Sequence, residues 1–226
     1  MLTVVIPCYN YAQYLPECVE SVRRQSYPAE IIVVDDGSAD DTLIKCQQLN
    51  VTFIHQSNKG EAAARNSGIR LASGSYIMCL DADDRLPNES LSNFMRHAQV
   101  DRIVSLAVRE FGDRSRVILP RLANFYTLYS ENHIYHNAVF HKSAWEKVGG
   151  FDESSILRLG YEDWDFWLRL VSVGIKVHTL NDIGLEYRVH AGQQTKSSVD
   201  QNRDICAQYV RDKHKDKADL LMRNIL

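Results

Sequence analysis

The feature that most constrains this chain is a repeated pairing of short apolar runs, rich in β-branched residues, with polar or acidic side chains that end them abruptly. Residues 2–6 read as a first strand ending in Pro7, Tyr9 and Asn10, and residues 31–34 as a second ending in Asp35 and Asp36. Residues 51–54 form a third, and residues 76–80 a fourth that runs into Asp81-Ala82-Asp83-Asp84. Runs this short and this uniformly apolar suit strands buried on both faces. Between them lie helical spacings: Leu15, Val19 and Val22, a segment with Leu43 and Ile44 entered through Gly37 and Ser38, and the small residues of 60–70. The alternation predicts an α/β fold with a mostly parallel central sheet flanked by helices. Ligands of such open sheets lie beyond the carboxyl ends of the strands, so the polar ends are expected to meet in space. Pro7 has no N–H to give to a ladder and is expected to end the first strand.

The second half is less regular. Strands are expected at 103–108, 117–119, 137–140, 175–178 and 185–189, with a short helix capped by Ser143 and broken by Gly149-Gly150. Residues 161–171 are strongly helical, and a helical tail from 199 carries Ile205, Tyr209 and Val210 on one face. Residues 120–135 show no period and read as a substrate-facing segment. A length of 226 residues without repeat or linker predicts a single domain over 1–226.

Composition enters as exclusion. The 26 basic residues against 29 acidic ones leave a net charge of -3, which excludes the basic footprint of a nucleic-acid binder. Cys8, Cys18, Cys46, Cys79 and Cys206 are odd in number and form no CxxC pair, which argues against a disulfide framework or a cysteine zinc site and for a reducing cytosol. No apolar run approaches the ~20 residues that span a bilayer, and the amino terminus lacks a basic leader, so a cytoplasmic location is expected.

Five segments carry chemistry. Asp81 and Asp83, at i and i+2 beyond a strand, can share one divalent cation or divide between a cation and a ribose hydroxyl, and oxygen donors select Mg2+ or Mn2+ over zinc. The same acids also suit a capping turn. Asp35 and Asp36 are acceptors fit for an imide N–H or a ribose hydroxyl, or equally for a helix cap beside Gly37. In 58–68, small residues allow close packing on the sheet, while Lys59 and Arg65 bring positive charge toward the crevice. Tyr161-Glu162-Asp163-Trp164 crowds acids and rings at a helix start. An exposed acid beside a ring that covers a sugar face suits a general base acting on an alcohol, although an acidic first turn also satisfies the helix dipole. Phe166 and Trp167 read as core. Residues 187–195 close a strand with Arg188 and His190, the latter able to complete a metal shell or contact a diphosphate. The histidines at 55, 97, 133, 136, 141, 178 and 214 show no ligand spacing and receive no role.

Taken in order, residues 4–10, the Asp35-Asp36-Gly37-Ser38 turn, 58–68, 81–84, Gly149-Gly150-Phe151-Asp152, Glu162-Asp163 and 187–190 closely resemble the family 2 glycosyltransferases over residues 1–195. The resemblance implies a GT-A fold, a nucleotide diphosphate sugar donor with a UDP-sugar expected, Mn2+ or Mg2+, and inversion at the anomeric carbon. It implies that Pro7, Tyr9 and Tyr11 line the base pocket, that Asp35 or Asp36 holds uracil or ribose, and that Arg65 supports the nucleotide site. Asp81 and Ala82 would meet the ribose or sugar, Asp83 and His190 the metal, Glu162 and Trp164 the acceptor, and Asp163 would be the catalytic base. Residues 1–100 would then bind the donor, 101–195 the acceptor, and 196–226 form a helical tail. The implied acceptor is a saccharide or glycolipid in surface polysaccharide or glycoconjugate synthesis, reached by peripheral association with the inner membrane face. Three alternatives stand beside it: a polyprenyl-phosphate glycosyltransferase, a non-catalytic sugar-nucleotide-binding module, and a phosphatase of haloacid-dehalogenase type suggested by Asp81-Ala82-Asp83.

Overall fold

The computed structural model describes residues 1–191 and 200–223. The first half runs β1 (Leu2–Cys8), α1 (Leu15–Arg23), β2 (Ala29–Asp35), α2 (Thr42–Leu49), β3 (Thr52–His55), α3 (Glu61–Leu71), β4 (Tyr76–Cys79) and α4 (Ser90–His97). The second runs β5 (Arg102–Gly112), β6 (Arg116–Ile118), α5 (Phe125–Ser130), β7 (Phe140–His141), α6 (Lys142–Val148), α7 (Glu162–Ser172), β8 (Lys176–Val189) and α8 (Asp200–Arg223). The main sheet has the order β3-β2-β1-β4-β7, parallel except for β7. The chain leaves β1 toward β2 on one side and returns to β4 on the other. The crevice that such a reversal opens therefore lies beyond Cys8 and Cys79.

β1 does not stop at Pro7: Pro7 pairs with Val34, and Cys8 with Asp35. Val5 O accepts from Leu80 N on the β4 side, whereas Cys8 O accepts from Asp36 N on the β2 side. Pro7 shares the parity of Val5 and faces β4 after that strand has ended, where no ladder bond is due. The strand thus tolerates the residue that was expected to end it.

Both faces of the sheet are covered. α1 buries Leu15, Cys18, Val19 and Val22 on one face. α3 packs on the other through Ala62, Ala63, Ala64 and Ile69, and a Cβ at Gly68 would stand 2.3 Å from Val5 Cγ1. Gly149 and Gly150, both at positive φ, end α6 as expected. Asn66 of α3 then locks the turn: its Oδ1 accepts from Phe151 N and Trp145 Nε1, and its Nδ2 donates to Phe151 O.

A second sheet, β6-β5-β8, adjoins the first through bridges Val104–Val139 and Arg85–Glu186. The strands expected at 175–178 and 185–189 are the two ends of one strand, β8. Leu106 pairs with Leu180 but Ala107 with Ile183, so exposed Asn181 and Asp182 bulge out of the register. That polar bulge is what made one strand look like two. α4 and α5 were not expected. α4 buries only Leu91 and Phe94 among its apolar residues, and α5 is a short helix started by an Asn124 capping box in the segment read as aperiodic. His141, not Ser143, caps α6, and Asp41 stands at the start of α2.

α8 docks Cys206, Val210 and His214 inward, leaving Ile205 58% exposed, so the face expected for the tail is rotated. His214 Nε2 and Lys213 Nζ reach buried Asp165 of α7 at 2.9 and 2.8 Å, and Arg169 adds a third contact at 2.7 Å. All five cysteines are free and buried. Burial pushes the Cys8 and Cys79 thiols up to about 12 and that of Cys46 to about 11. No helix among the described residues is long and apolar enough to cross a membrane.

Candidate active site

The carboxyl ends of β1, β2 and β4 meet as the strand order requires. Beyond β1, Pro7 is buried, Tyr9 is 50% exposed, and Tyr11 is half-buried with its ring 5.8 Å from that of His190. Asn10, in the left-handed region, exchanges bonds with the next loop: its N–H donates to Ser38 Oγ and its Oδ1 accepts from Ala39 N. Asp35 and Asp36 are both buried and both hydrogen-bonded. Asp35 accepts from Ser38 N at 3.0 Å and contacts His55 Nδ1 at 2.8 Å. Asp36 takes Gln56 Nε2, Lys59 N and Gly60 N, so it holds the turn that starts α3.

Arg65, buried on α3, ties three elements together. Its guanidinium donates to Glu162 at the start of α7, to Asp81 beyond β4 at 2.9 Å, and to Glu61 one turn back at 3.2 Å. A fork of fixed donors is what allows one cation to meet carboxylates from several directions. His136, from the loop before β7, lies 3.4 Å from Asp81 Oδ2 through Nδ1 and 3.4 Å from Asp84 Oδ2 through Nε2. These acids push the imidazole up to about 9 against the effect of burial. Arg65 and His136 together hold the Asp81 carboxyl below its ordinary range despite its burial.

The next two acids are less well compensated. Asp83 Oδ2 lies 3.0 Å from His190 Nε2. Burial, then the like charges of Asp84 and Asp81, push the Asp83 carboxyl up to about 7. Asp84 accepts from Arg188 N through Oδ1, and its buried Oδ2, outside hydrogen-bond geometry, faces His136 Nε2 at 3.4 Å. Asp81, Asp84 and His136 each present a ligand atom within 4.8 Å of the others. Asp83 and His190, 3.0 Å apart beside the crowded carboxylates of Asp81 and Asp84, form an oxygen and imidazole donor set suited to a divalent cation such as Mn2+, so the residues present fit such an ion.

Across the crevice, Tyr161 adopts a left-handed backbone and starts α7. Asp163 Oδ1 accepts from Trp164 N at 2.7 Å, and Oδ2 from Asn132 Nδ2 at 3.1 Å. Burial and the neighbouring Glu162 carboxylate push its carboxyl up to about 6, where it is ionised at neutral pH yet basic enough to take a proton. A cavity of about 270 Å3 joins the two sides, with Arg65 and Asp81 on one wall, Asp163 and Tyr161 on the other, and Asn132, Tyr135 and His136 between.

A family model described as glycosyl transferase family 2 matches residues 3–159, more than half the chain. The chain belongs to glycosyl transferase family 2. Chondroitin synthase of Escherichia coli is 31% identical over 88% of this chain, which spans 30% of that relative's length. The UDP-Glc:alpha-D-GlcNAc-diphosphoundecaprenol beta-1,3-glucosyltransferase WfaP of the same species is 29% identical over 85% of the chain and 78% of its own. The mannosyltransferase of Pyrobaculum calidifontis, solved with GDP-Man and Mn2+, superposes with a TM-score of 0.67 at 22% identity, covering 86% of this chain and 59% of that one. The fold is GT-A.

This member of glycosyl transferase family 2 brings part of its sequence-predicted set to the cavity, while Pro7, Tyr9, Tyr11, Asp35, Asp36, Asp83 and His190 stand outside its lining. Arg65, Asp81, Glu162 and Asp163 line the cavity, and Asp83 stands against His190. Ala82 is buried in the turn between the acids. Trp164 faces the core. Its ring is 2% exposed and its Nε1 donates to Leu128 O, so it packs α7 onto α5 and offers no face to a sugar. Tyr161 supplies the aromatic wall instead. Glu162 is likewise buried against Arg65. His136 and Asn132 escaped the sequence reading because nothing in their spacing ties them to acids far away in the chain. Gln193, Gln194 and Thr195 lie outside the described residues.

Proposed function

We propose that this glycosyltransferase moves a sugar from a nucleotide diphosphate sugar, with UDP-sugars the first expectation, to a hydroxyl of a saccharide or glycolipid acceptor, inverting the anomeric carbon. The observation that carries the reading is the shared cavity: Asp163 faces the same space as Asp81, two residues before Asp83. Residues 1–100 hold the donor, with the nucleotide base at Pro7, Tyr9 and Tyr11. Asp35 is favoured over Asp36 as the contact to base or ribose, because Asp36 already takes three donors that build the start of α3.

His136, pushed up to about 9, serves as the cation for Asp81 and Asp84, which leaves Asp83 and His190 to hold Mn2+ or Mg2+. When bound, that ion screens charge on the diphosphate as the bond to the sugar breaks. Asp163 takes the proton of the acceptor hydroxyl while its oxygen attacks the anomeric carbon from the face opposite the diphosphate. Arg65 and Glu162 keep Asp81 in place, and Tyr161 covers the sugar. Residues 101–195 supply the acceptor side. A hydroxyl acceptor is favoured over a polyprenyl phosphate, since a phosphate nucleophile is already anionic and would leave Asp163, on the cavity wall, without a proton to take. A role at the inner membrane face in surface polysaccharide synthesis is part of this reading, supported by the lipid-linked acceptor in the name of WfaP.

Thermal stabilisation by a panel of UDP-glucose, UDP-N-acetylglucosamine, UDP-galactose and GDP-mannose, each with and without Mn2+, tests the donor class. One Mn2+-dependent responder is expected, and a flat panel would remove the nucleotide-sugar reading. With that donor, Asp163→Asn is expected to bind normally and to lower transfer by ~100-fold or more. Near-normal turnover would take the role of base from Asp163.

A further inference from the structure

The loop between α5 and β7 reaches both walls of the cavity: His136 meets Asp81 and Asp84, and Asn132 meets Asp163. Asn132 is the more informative of the two because both ends of its amide are committed. Its Oδ1 accepts from Ile134 N at 3.3 Å, closing a turn whose apex is pinned by buried Ile134. That bond requires oxygen at one end of the amide, and the carboxylate of Asp163 requires nitrogen at the other, so the two neighbours agree on one orientation. Asp163 is held in turn at both oxygens, by Trp164 N on its own helix and by Asn132 from across the cavity.

We propose that Asn132 is a positioning residue for Asp163, fixing the carboxylate so that a lone pair of Oδ2 is presented to the acceptor hydroxyl. This rests on the reading of Asp163 as the base. The charged and titratable groups around Asp163 are Glu162 on its own helix, Arg65 from α3, His136 from the same loop and Tyr161 at the helix start. Glu162 opposes ionisation, and Arg65 and His136 favour it. The Asn132 amide adds a donor at short range that bonds best to the ionised form, so it aligns the base and sustains its charge together. Trp164 N does not stand in for it, since it already donates to the other oxygen.

Two variants separate this role from a merely local turn. Asn132→Ser keeps a local acceptor for Ile134 N but is too short to reach Asp163. Asn132→Ala removes both bonds. The readout is the titration of the Asp163 carboxyl carbon by 13C NMR in the full chain, assigned by its absence in Asp163→Asn, together with the pH profile of turnover on the donor from the panel above. The Asp163 midpoint is expected to rise by ~1 pH unit in both variants. The acid limb of turnover should move with it, kcat should fall by ~10-fold or more, and the donor KM should stay within about twofold. If Asn132 only closes its turn, Asn132→Ser matches wild type in midpoint and kcat, and the inference falls even if Asn132→Ala is poorly folded. If Asp163→Asn keeps its turnover, the base reading fails first and takes this inference with it.

Discussion

Asp83 shows how much of a side chain's behaviour is decided by neighbours of like charge. Its carboxyl is pushed up to about 7 by burial and by Asp84 and Asp81, which means that the acidic turn is electrostatically uncomfortable on its own. Asp83→Ala is therefore expected to have two opposite effects. The metal-free protein should melt at the same temperature or slightly higher, because a repulsion is removed. Mn2+-dependent binding of the donor, followed by calorimetry, should be lost. Unchanged metal dependence would refute the assignment. The acids themselves were legible in the sequence, because a carboxylate that ends a buried strand has few alternatives. Their partners were not. Arg65 could be placed near the crevice from its helix, but its bond to Glu162 spans 97 positions, and His136 and Asn132 acquire their roles only when the loop before β7 folds back over the turn.

Among elements, the strands were the easiest to read and the short helices the hardest. β1, β2 and β4 advertise themselves by unbroken apolar runs, whereas α4 offers two buried apolar residues and α5 has only six positions. The register shift in β8 divided one strand into two in the sequence because a bulge exposes polar residues where alternation would bury them. α3 gives the sharpest test of packing. Its Gly68 sits where a Cβ would meet Val5 Cγ1 at 2.3 Å and Val34 Cγ2 at 3.1 Å. Alanine gains about 1 kcal/mol in helix propensity over glycine. The overlap with β1 should outweigh it, because a central strand buried on both faces has nowhere to move. We expect Gly68→Ala to be net destabilising by ~1–2 kcal/mol in denaturant unfolding. A stabilised variant would show that α3 can slide off the sheet, and with it Arg65.

At the scale of the whole molecule, the α/β architecture was legible because the alternation of buried strands and helical spacings admits few other solutions. The placement of the tail was not, since the face of α8 is chosen by buried Asp165, whose partners His214 and Lys213 lie almost fifty residues further on. The summed titration of the site sets how stability depends on pH. His136, raised above its ordinary value to about 9, contributes stability that is complete below about pH 6.5 and lost as pH rises through 9. Asp83, raised to about 7, is tolerated best when protonated, so its penalty grows as pH rises from its ordinary range through 7. Asp81 and Asp165 are held low, and their contribution disappears only on acidification. Between about pH 6 and 9 the metal-free protein is therefore expected to lose melting temperature, and the rise on adding Mn2+ should be larger at the alkaline end. A flat profile would mean that the acidic turn is already neutralised by protein groups.

The burial of all five thiols also gives the chain a chemical silence that can be exploited. A thiol closed off from solvent and held protonated at neutral pH does not react with a maleimide. Tyr9→Cys, at an exposed position on the lip of the crevice, should thus create a single reactive sulfur with no native cysteine to remove. A dye placed there would report occupancy: the labelling rate should fall when the donor nucleotide is present and stay unchanged with the free sugar.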